Sequence, residues 1–168
     1  MKKKIVQSEN PVLRTKAETV HVREFGSKEL TKLLRDMKDS LDGESDGVAL
    51  AAPQIAVSKR IFIISDKIRE ALKETARELP LVYINPEILK AGRPKVMNEG
   101  CLSVRPLYGK TRRANLVTLK ATNAEGKHFE ITATGLVAQI FQHETDHLNG
   151  ILFTDHAKNI HEEELLIK

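Results

Sequence analysis

The chain of 168 residues predicts an α+β fold, with antiparallel or mixed β-sheets around a central helix that carries a His-Glu-x-x-His motif. Two observations carry that prediction. Runs of β-branched residues cluster without a helix between each pair, which a parallel βαβ sheet would need, and the most orderly helical pattern stands near the C-terminal end.

In chain order, Ser27 is an N-cap for a helix over the stretch KELTKLLRDMKDSLD, where Leu30, Leu33, Leu34, Met37 and Leu41 recur at helical spacing and Asp42-Gly43 marks the stop. Residues 60–65 form a short apolar run read as a buried strand, and 81–85 form another. The polar segment 66–78 between them reads as an exposed helix or excursion. Residues 115–121 and 127–133 are strands flanking a hairpin turn at 123–126. A last helix starts at Thr134 as N-cap and stops at Gly150, which has the backbone freedom a helix end often requires.

A chain of this length buries roughly two thirds of its unfolded surface, so one domain over residues 1–168 is expected. Hydrophobic content of 40% with 30% charged residues is that of a globular protein. With no Trp, aromatic packing is not expected to dominate the core. The basic start, Met1-Lys2-Lys3-Lys4, is followed by no apolar run of signal-peptide length, and no stretch approaches the ~20 apolar residues of a membrane span. The expectation is a cytoplasmic protein with no membrane partner. Cys101 is the sole cysteine, which rules out an intrachain disulfide and leaves the thiol free for chemistry. The net charge of +4 is scattered and no basic stripe interleaves with aromatics, so no specific nucleic-acid binding is expected.

Residues 142–150 read QHETDHLNG. At about 100° per residue, Leu136, Gln139, Ile140, His143 and His147 share one helical face, placing both imidazoles one turn apart beside an apolar wall. In a helical His-Glu-x-x-His, side chains at i and i+4 converge on one ion, and the Glu beside the first His reaches water bound to it. A third ligand distinguishes such a site from two ordinary histidines on an amphipathic helix. Extension to HExxHxxGxxH matches Gly150 but ends on Phe153, which cannot coordinate, and the only later glutamates are Glu162, Glu163 and Glu164. The third ligand therefore lies upstream. Cys101 is the strongest candidate, since thiolate suits Zn or Fe; His21, His128, His156 and His161 remain open.

Three separated stretches, GVALAAPQ at 47–54, EGCLS at 99–103 and QHETDHLNG at 142–150, resemble the peptide deformylase family in order and spacing. The resemblance spans about residues 10–153. It implies removal of the N-terminal formyl group from formyl-methionyl nascent polypeptides with release of formate. It also implies that Cys101, His143 and His147 hold one divalent metal ion, with water or hydroxide at the fourth position. Fe(II) is the ion expected, with Zn, Ni or Co as alternatives. Glu144 takes the role of general base and acid, while the Gln54 side-chain amide and the Leu102 backbone N–H donate to the formyl oxygen. Loss of one such donor typically costs ~2.7–4 kcal/mol of barrier. The methionine side chain would lie against Leu136 and Ile140 with Val48 opposite, and the peptide backbone would run along Val48, Ala49 and Gly100. Transient contact with the ribosome follows from a nascent-chain substrate.

The chain departs from the family pattern in places. Ala49 stands where a second glycine is usual, and its Cβ is expected to narrow the groove or strain the backbone. Arg105-Pro106 replaces a Pro directly after Ser-Val, and Gln139 puts an amide in an apolar wall. A zinc endopeptidase using the same helix, or a basic metal-stabilised RNA-binding module, are the competing readings.

Overall fold

The computed structural model describes residues 1–72 and 79–163. Its centre is a six-stranded antiparallel sheet, β1 (Ala49–Ala51), β2 (Ile61–Ile64), β3 (Val82–Gly100), β4 (Leu107–Thr122) and β5 (His128–Thr134) in that order, with β6 (Lys158–Glu162) also paired to β4. Helix α1 (Lys28–Asp42) covers one face of β2 and α3 (Gly135–Leu148) the other; α2 (Asp66–Ala71) is a short turn of helix after β2. The α+β expectation holds, as a single sheet with α3 packed against it.

Burial on both sides explains why β2 is apolar at every position. Phe62 and Ile64 join the core under α3 with Tyr83, Val117, Leu119, Val137, Ala138 and Phe141, whereas Ile61 and Ile63 join Leu30, Met37, Leu41 and Leu50 under α1. Aromatic packing is more prominent than the composition implied. Of two Tyr and five Phe, four meet behind α3, with Phe62 and Tyr83 stacked at 4.5 Å and Phe141 and Phe129 at 5.3 and 5.5 Å from the Tyr83 ring.

The predicted helices and strands are present with shifted ends. Ser27 caps α1 by accepting from the Leu30 N–H, and the helix runs to Asp42. Thr134 occupies the N-cap of α3 without a side-chain cap bond. At the other end Gly150, at φ +76°, closes a Schellman motif in which Ile151 N–H donates to the Asp146 carbonyl and Gly150 N–H to that of His147. The segment 66–78 contains α2 at its start; positions 73–78 lie outside the described residues.

The large difference is in β3 and β4, which continue far beyond 81–85 and 115–121. Residues 86–100 contain Pro86, Pro94, Gly92 and scattered charges, so they carry no two-residue hydrophobic alternation. They are strand because they pair with β4 residue by residue, from Ile84 opposite Thr122 to Gly100 opposite Tyr108, with bulges near Glu87 and Lys90. This hairpin carries its connection, residues 101–106, back over α3.

Candidate active site

Each element ends where a polar group is needed. Cys101 follows the last residue of β3, Gln54 lies in a 3-10 turn (Ala52–Ile55) directly after β1, and α3 presents His143, Glu144 and His147 from its last two turns. The Cys101 Sγ stands 3.2 Å from His147 Nε2, and the two imidazole centroids are 4.9 Å apart. One donor atom from each of Cys101, His143 and His147 lies within 4.8 Å of the others. His21, His128, His156 and His161 join no such group among the described residues.

These donors fit a divalent cation. Zn–S and Zn–N bonds of about 2.3 and 2.0–2.1 Å give a tetrahedral S···N edge of roughly 3.5 Å, close to the observed separation. The His143 Nδ1–H donates to Glu99 Oε1 at 2.6 Å, which leaves its Nε2 for the site. Burial, with the nearby charge of His143, holds the His147 pKa well below its usual value, which favours the neutral imidazole. Burial opposes charge on His143 as well, but the Cys101 sulfur and the Glu99 carboxylate raise its pKa well above the usual value. The pocket thus favours positive charge between sulfur and carboxylate.

Behind His143 lies a buried polar network. Glu99 accepts from Arg113 Nη2 at 2.5 Å and Nε at 3.0 Å and from Thr111 Oγ1 at 2.6 Å, and Arg113 Nη1 donates to Asp146 Oδ2 at 2.6 Å. Burial works against the Glu99 charge, yet bonds from His143 and Arg113 hold its carboxyl well below the usual range. Gln142 ties the same turn of α3 to the sheet, exchanging hydrogen bonds with the Ala114 N–H and carbonyl. Gln139 does line the cavity, and its amide is tied down there by donating to the Asn98 carbonyl at 2.7 Å.

Glu144 is 3% exposed, and its Oε2 has no protein partner. Burial pushes its pKa up to about 7, against the opposing field of His143. Gln54, 1% exposed, accepts from the Ala51 N–H through Oε1, which turns its Nε2 toward Ser103 Oγ at 3.2 Å and Cys101 Sγ at 3.6 Å. The amide caps its turn and faces the Cys101 sulfur at once.

A cavity of about 230 Å³ opens onto these groups, lined by Val48, Ala49, Gln54, Gly100, Cys101, Leu102, Leu136, Ile140, His143 and Glu144. Every predicted site residue is therefore brought together, with His147 buried just behind. Ile140 forms the inner wall, and the half-exposed Val48 and Leu136 stand at the mouth. A Cβ at Gly100 would run into the Tyr108 ring, so glycine lets the strand end pass close under that side chain. Ala49 sits in regular extended backbone of β1, opposite Ile64, so the strain expected of a side chain there is absent. Arg105, on the rim, is ion-paired with Glu44 at 2.8 Å and with Asp46.

Sequence reasoning assigned no role to Arg113, Thr111 or Glu99. The stretch 109–113 is polar throughout, and only its pairing in the hairpin shows that Thr111 and Arg113 turn inward. The glutamate directly before Gly-Cys was the one available signal.

Comparison with known proteins places this geometry. The family model described as polypeptide deformylase matches residues 2–163. The peptide deformylase of Halothermothrix orenii is 44% identical over 92% of this chain and 92% of its own length, and peptide deformylase 1 of Bacillus subtilis is 42% identical over 98% and 95%. Among solved structures, a K3U-bound class I type b peptide deformylase from Acinetobacter baumannii has a TM-score of 0.82 at 34% identity, covering 93% of this chain and 99% of that one. The same enzyme bound to Met-Ala-Ser has a TM-score of 0.80 at 32% identity, covering 93% and 98%. The chain belongs to the peptide deformylase family, metal-dependent hydrolases that remove the formyl group from the N-terminus of nascent polypeptides.

Proposed function

We propose that Cys101, His143 and His147 bind one divalent metal ion and that the cavity beside them seats the formyl-methionyl end of a nascent polypeptide. The observation that carries this is the approach of the sole cysteine to two histidines more than 40 residues away, within 4.8 Å, at the floor of the cavity. Bound there, the ion supplies Lewis acidity and can bring the pKa of a water to about 7. Fe(II) is the ion expected, with Zn, Ni or Co able to replace it, because the S, N, N donor set suits all of them.

The chain's own groups do the rest. Glu144 accepts a proton from the attacking water and passes it to the departing α-amine as the formyl C–N bond breaks, leaving formate and a free N-terminus. Its desolvated carboxyl, with a pKa near neutrality, is matched to both halves of that transfer. The Gln54 amide and the Leu102 N–H donate to the formyl oxygen as it gains charge. The methionine side chain packs on Ile140, Leu136 and Val48, while the following residues extend along the backbone of Val48 and Ala49 on the outer edge of β1, opposite Gly100. Binding of Met-Ala-Ser to the A. baumannii relative supports a peptide that begins with methionine as the ligand.

Residues 1–168 act in this reading as a single catalytic domain in the cytoplasm, meeting its substrate in transient contact with the ribosome. No specific nucleic-acid partner is part of it. No helix among the described residues is long and apolar enough to cross a membrane. The test is metal analysis of anaerobically purified protein, paired with formate release from formyl-Met-Ala, for wild type and Cys101→Ala. One metal per chain and rapid release in wild type, both lost in the variant, is the expected outcome. Full metal content in Cys101→Ala would refute the ligand set.

A further inference from the structure

The N-terminal segment runs from α1 to the loop that follows Cys101. Lys3 N–H donates to Ser40 Oγ of α1 at 2.8 Å, Ile5 is buried, and Val6 N–H donates to the Gln54 carbonyl at 2.9 Å. The next residue, Gln7, donates from Nε2 to the Leu102 carbonyl at 3.1 Å, across 95 positions of sequence. Gln7 does not line the substrate cavity, so it acts on the chemistry only through what it touches.

What it touches is one peptide unit. The Leu102 carbonyl and the Ser103 N–H belong to the same amide, and that N–H points at Cys101 Sγ, 3.4 Å away. A donor on the carbonyl polarises the amide and strengthens its N–H as a donor in turn. A hydrogen bond to a sulfur ligand draws electron density from it, and such outer contacts tune a metal centre. The same contact holds the loop that brings Leu102 to the cavity.

We infer that Gln7 is a positioning residue that acts through the Leu102–Ser103 amide to set the electron donation of the Cys101 thiolate. This rests on Cys101 being a metal ligand. The bond has no need of the substrate, so its effect falls on the metal centre and on turnover rather than on substrate affinity. Replacing Gln7 by methionine keeps an unbranched side chain of similar length and removes the donor.

The experiment loads wild type and Gln7→Met with Co(II) and records the thiolate-to-cobalt charge-transfer absorption, together with kcat and KM on formyl-Met-Ala and the thermal midpoint. The inference predicts a band in wild type that moves to longer wavelength in Gln7→Met, as the thiolate becomes more electron-rich. It also predicts a kcat lower by about 3- to 10-fold with KM within about twofold, less than the 10–100-fold of a direct outer contact. An unmoved band overturns the inference, whether kcat is unchanged or falls along with the thermal midpoint, since the second pattern marks a purely structural contact. Absence of any charge-transfer band in wild type would instead overturn Cys101 as a ligand, so the two failures are distinguishable.

Discussion

Two carboxylates in this protein gather cations in the same way, and their surroundings give the two clusters different uses. Asp36 on α1 lies 2.7 Å from the Met1 ammonium and 2.7 Å from Lys32 Nζ, but both cations are largely in solvent, with side-chain exposures of 88% and 63%. Glu99 at the end of β3 meets Arg113 and His143, and all three side chains are 12% exposed or less. Exposed pairs are screened and contribute little, whereas a buried charge that loses its partner is costly, so the inner cluster fixes geometry and the outer one only tacks the N-terminal segment to a helix. Location, not chemistry, decides which cluster a mutation exposes.

The largest effect is expected beside the inner cluster. Glu144→Ala should lower formate release by about 10²–10⁴-fold while metal content is retained, since a positioned acid-base group contributes on that order. Rates near wild type would remove Glu144 from the chemistry. Because its Oε2 has no protein partner, the thermal midpoint should not fall.

Glu99→Gln comes next. It keeps shape but weakens the bond that aims His143, so metal affinity or activity should drop by about 10–100-fold, measured by competition with a metal chelator and by turnover. Arg113 keeps Asp146 as partner, so the variant should fold. Affinity and turnover both unchanged would reduce the inner cluster to ordinary packing.

Ala49→Gly is a smaller change. It touches the substrate edge and neither cluster, so metal content should stay constant and peptide kinetics should shift by less than about tenfold. Metal-free protein from this variant would contradict the assignment of Ala49 to the groove.

Asp36→Asn should have the smallest effect, and only above acid pH. Hydrogen bonds from Lys32 and the Met1 ammonium lower the folded pKa of Asp36 to about 2. The unfolded value is about 3.9. Its contribution is therefore fully present above the unfolded value and fades as pH falls toward 2. The thermal midpoints of wild type and Asp36→Asn should differ slightly at pH 7 and converge below pH 3. A constant difference across that range would mean the carboxylate's charge is not what matters.

The sequence made visible whatever depends on short-range pattern. The spacing of Leu30, Leu33, Leu34, Met37 and Leu41, the cap at Ser27 and the stop at Gly150 placed α1 and the end of α3 to within a residue or two. His143, Glu144 and His147 followed from i, i+4 geometry, and Cys101 from resemblance across three separated stretches. The long arms of β3 and β4 were not visible, because residues 86–100 and 107–114 take their extended form from each other and not from their own alternation. For the same reason Arg113 was missed. Its neighbours Arg112 and Lys110 are equally polar, and only the pleat of a paired strand separates the buried cation from the exposed ones.

In the proposed centre one sulfur and two imidazole nitrogens meet on a single ion. X-ray absorption at the edge of the metal in the purified, zinc-loaded protein tests it most directly. The expected spectrum has one sulfur scatterer at about 2.3 Å and two nitrogen scatterers at about 2.0–2.1 Å, with the sulfur shell lost in Cys101→Ser. A first shell of nitrogen and oxygen alone in the wild type would contradict it.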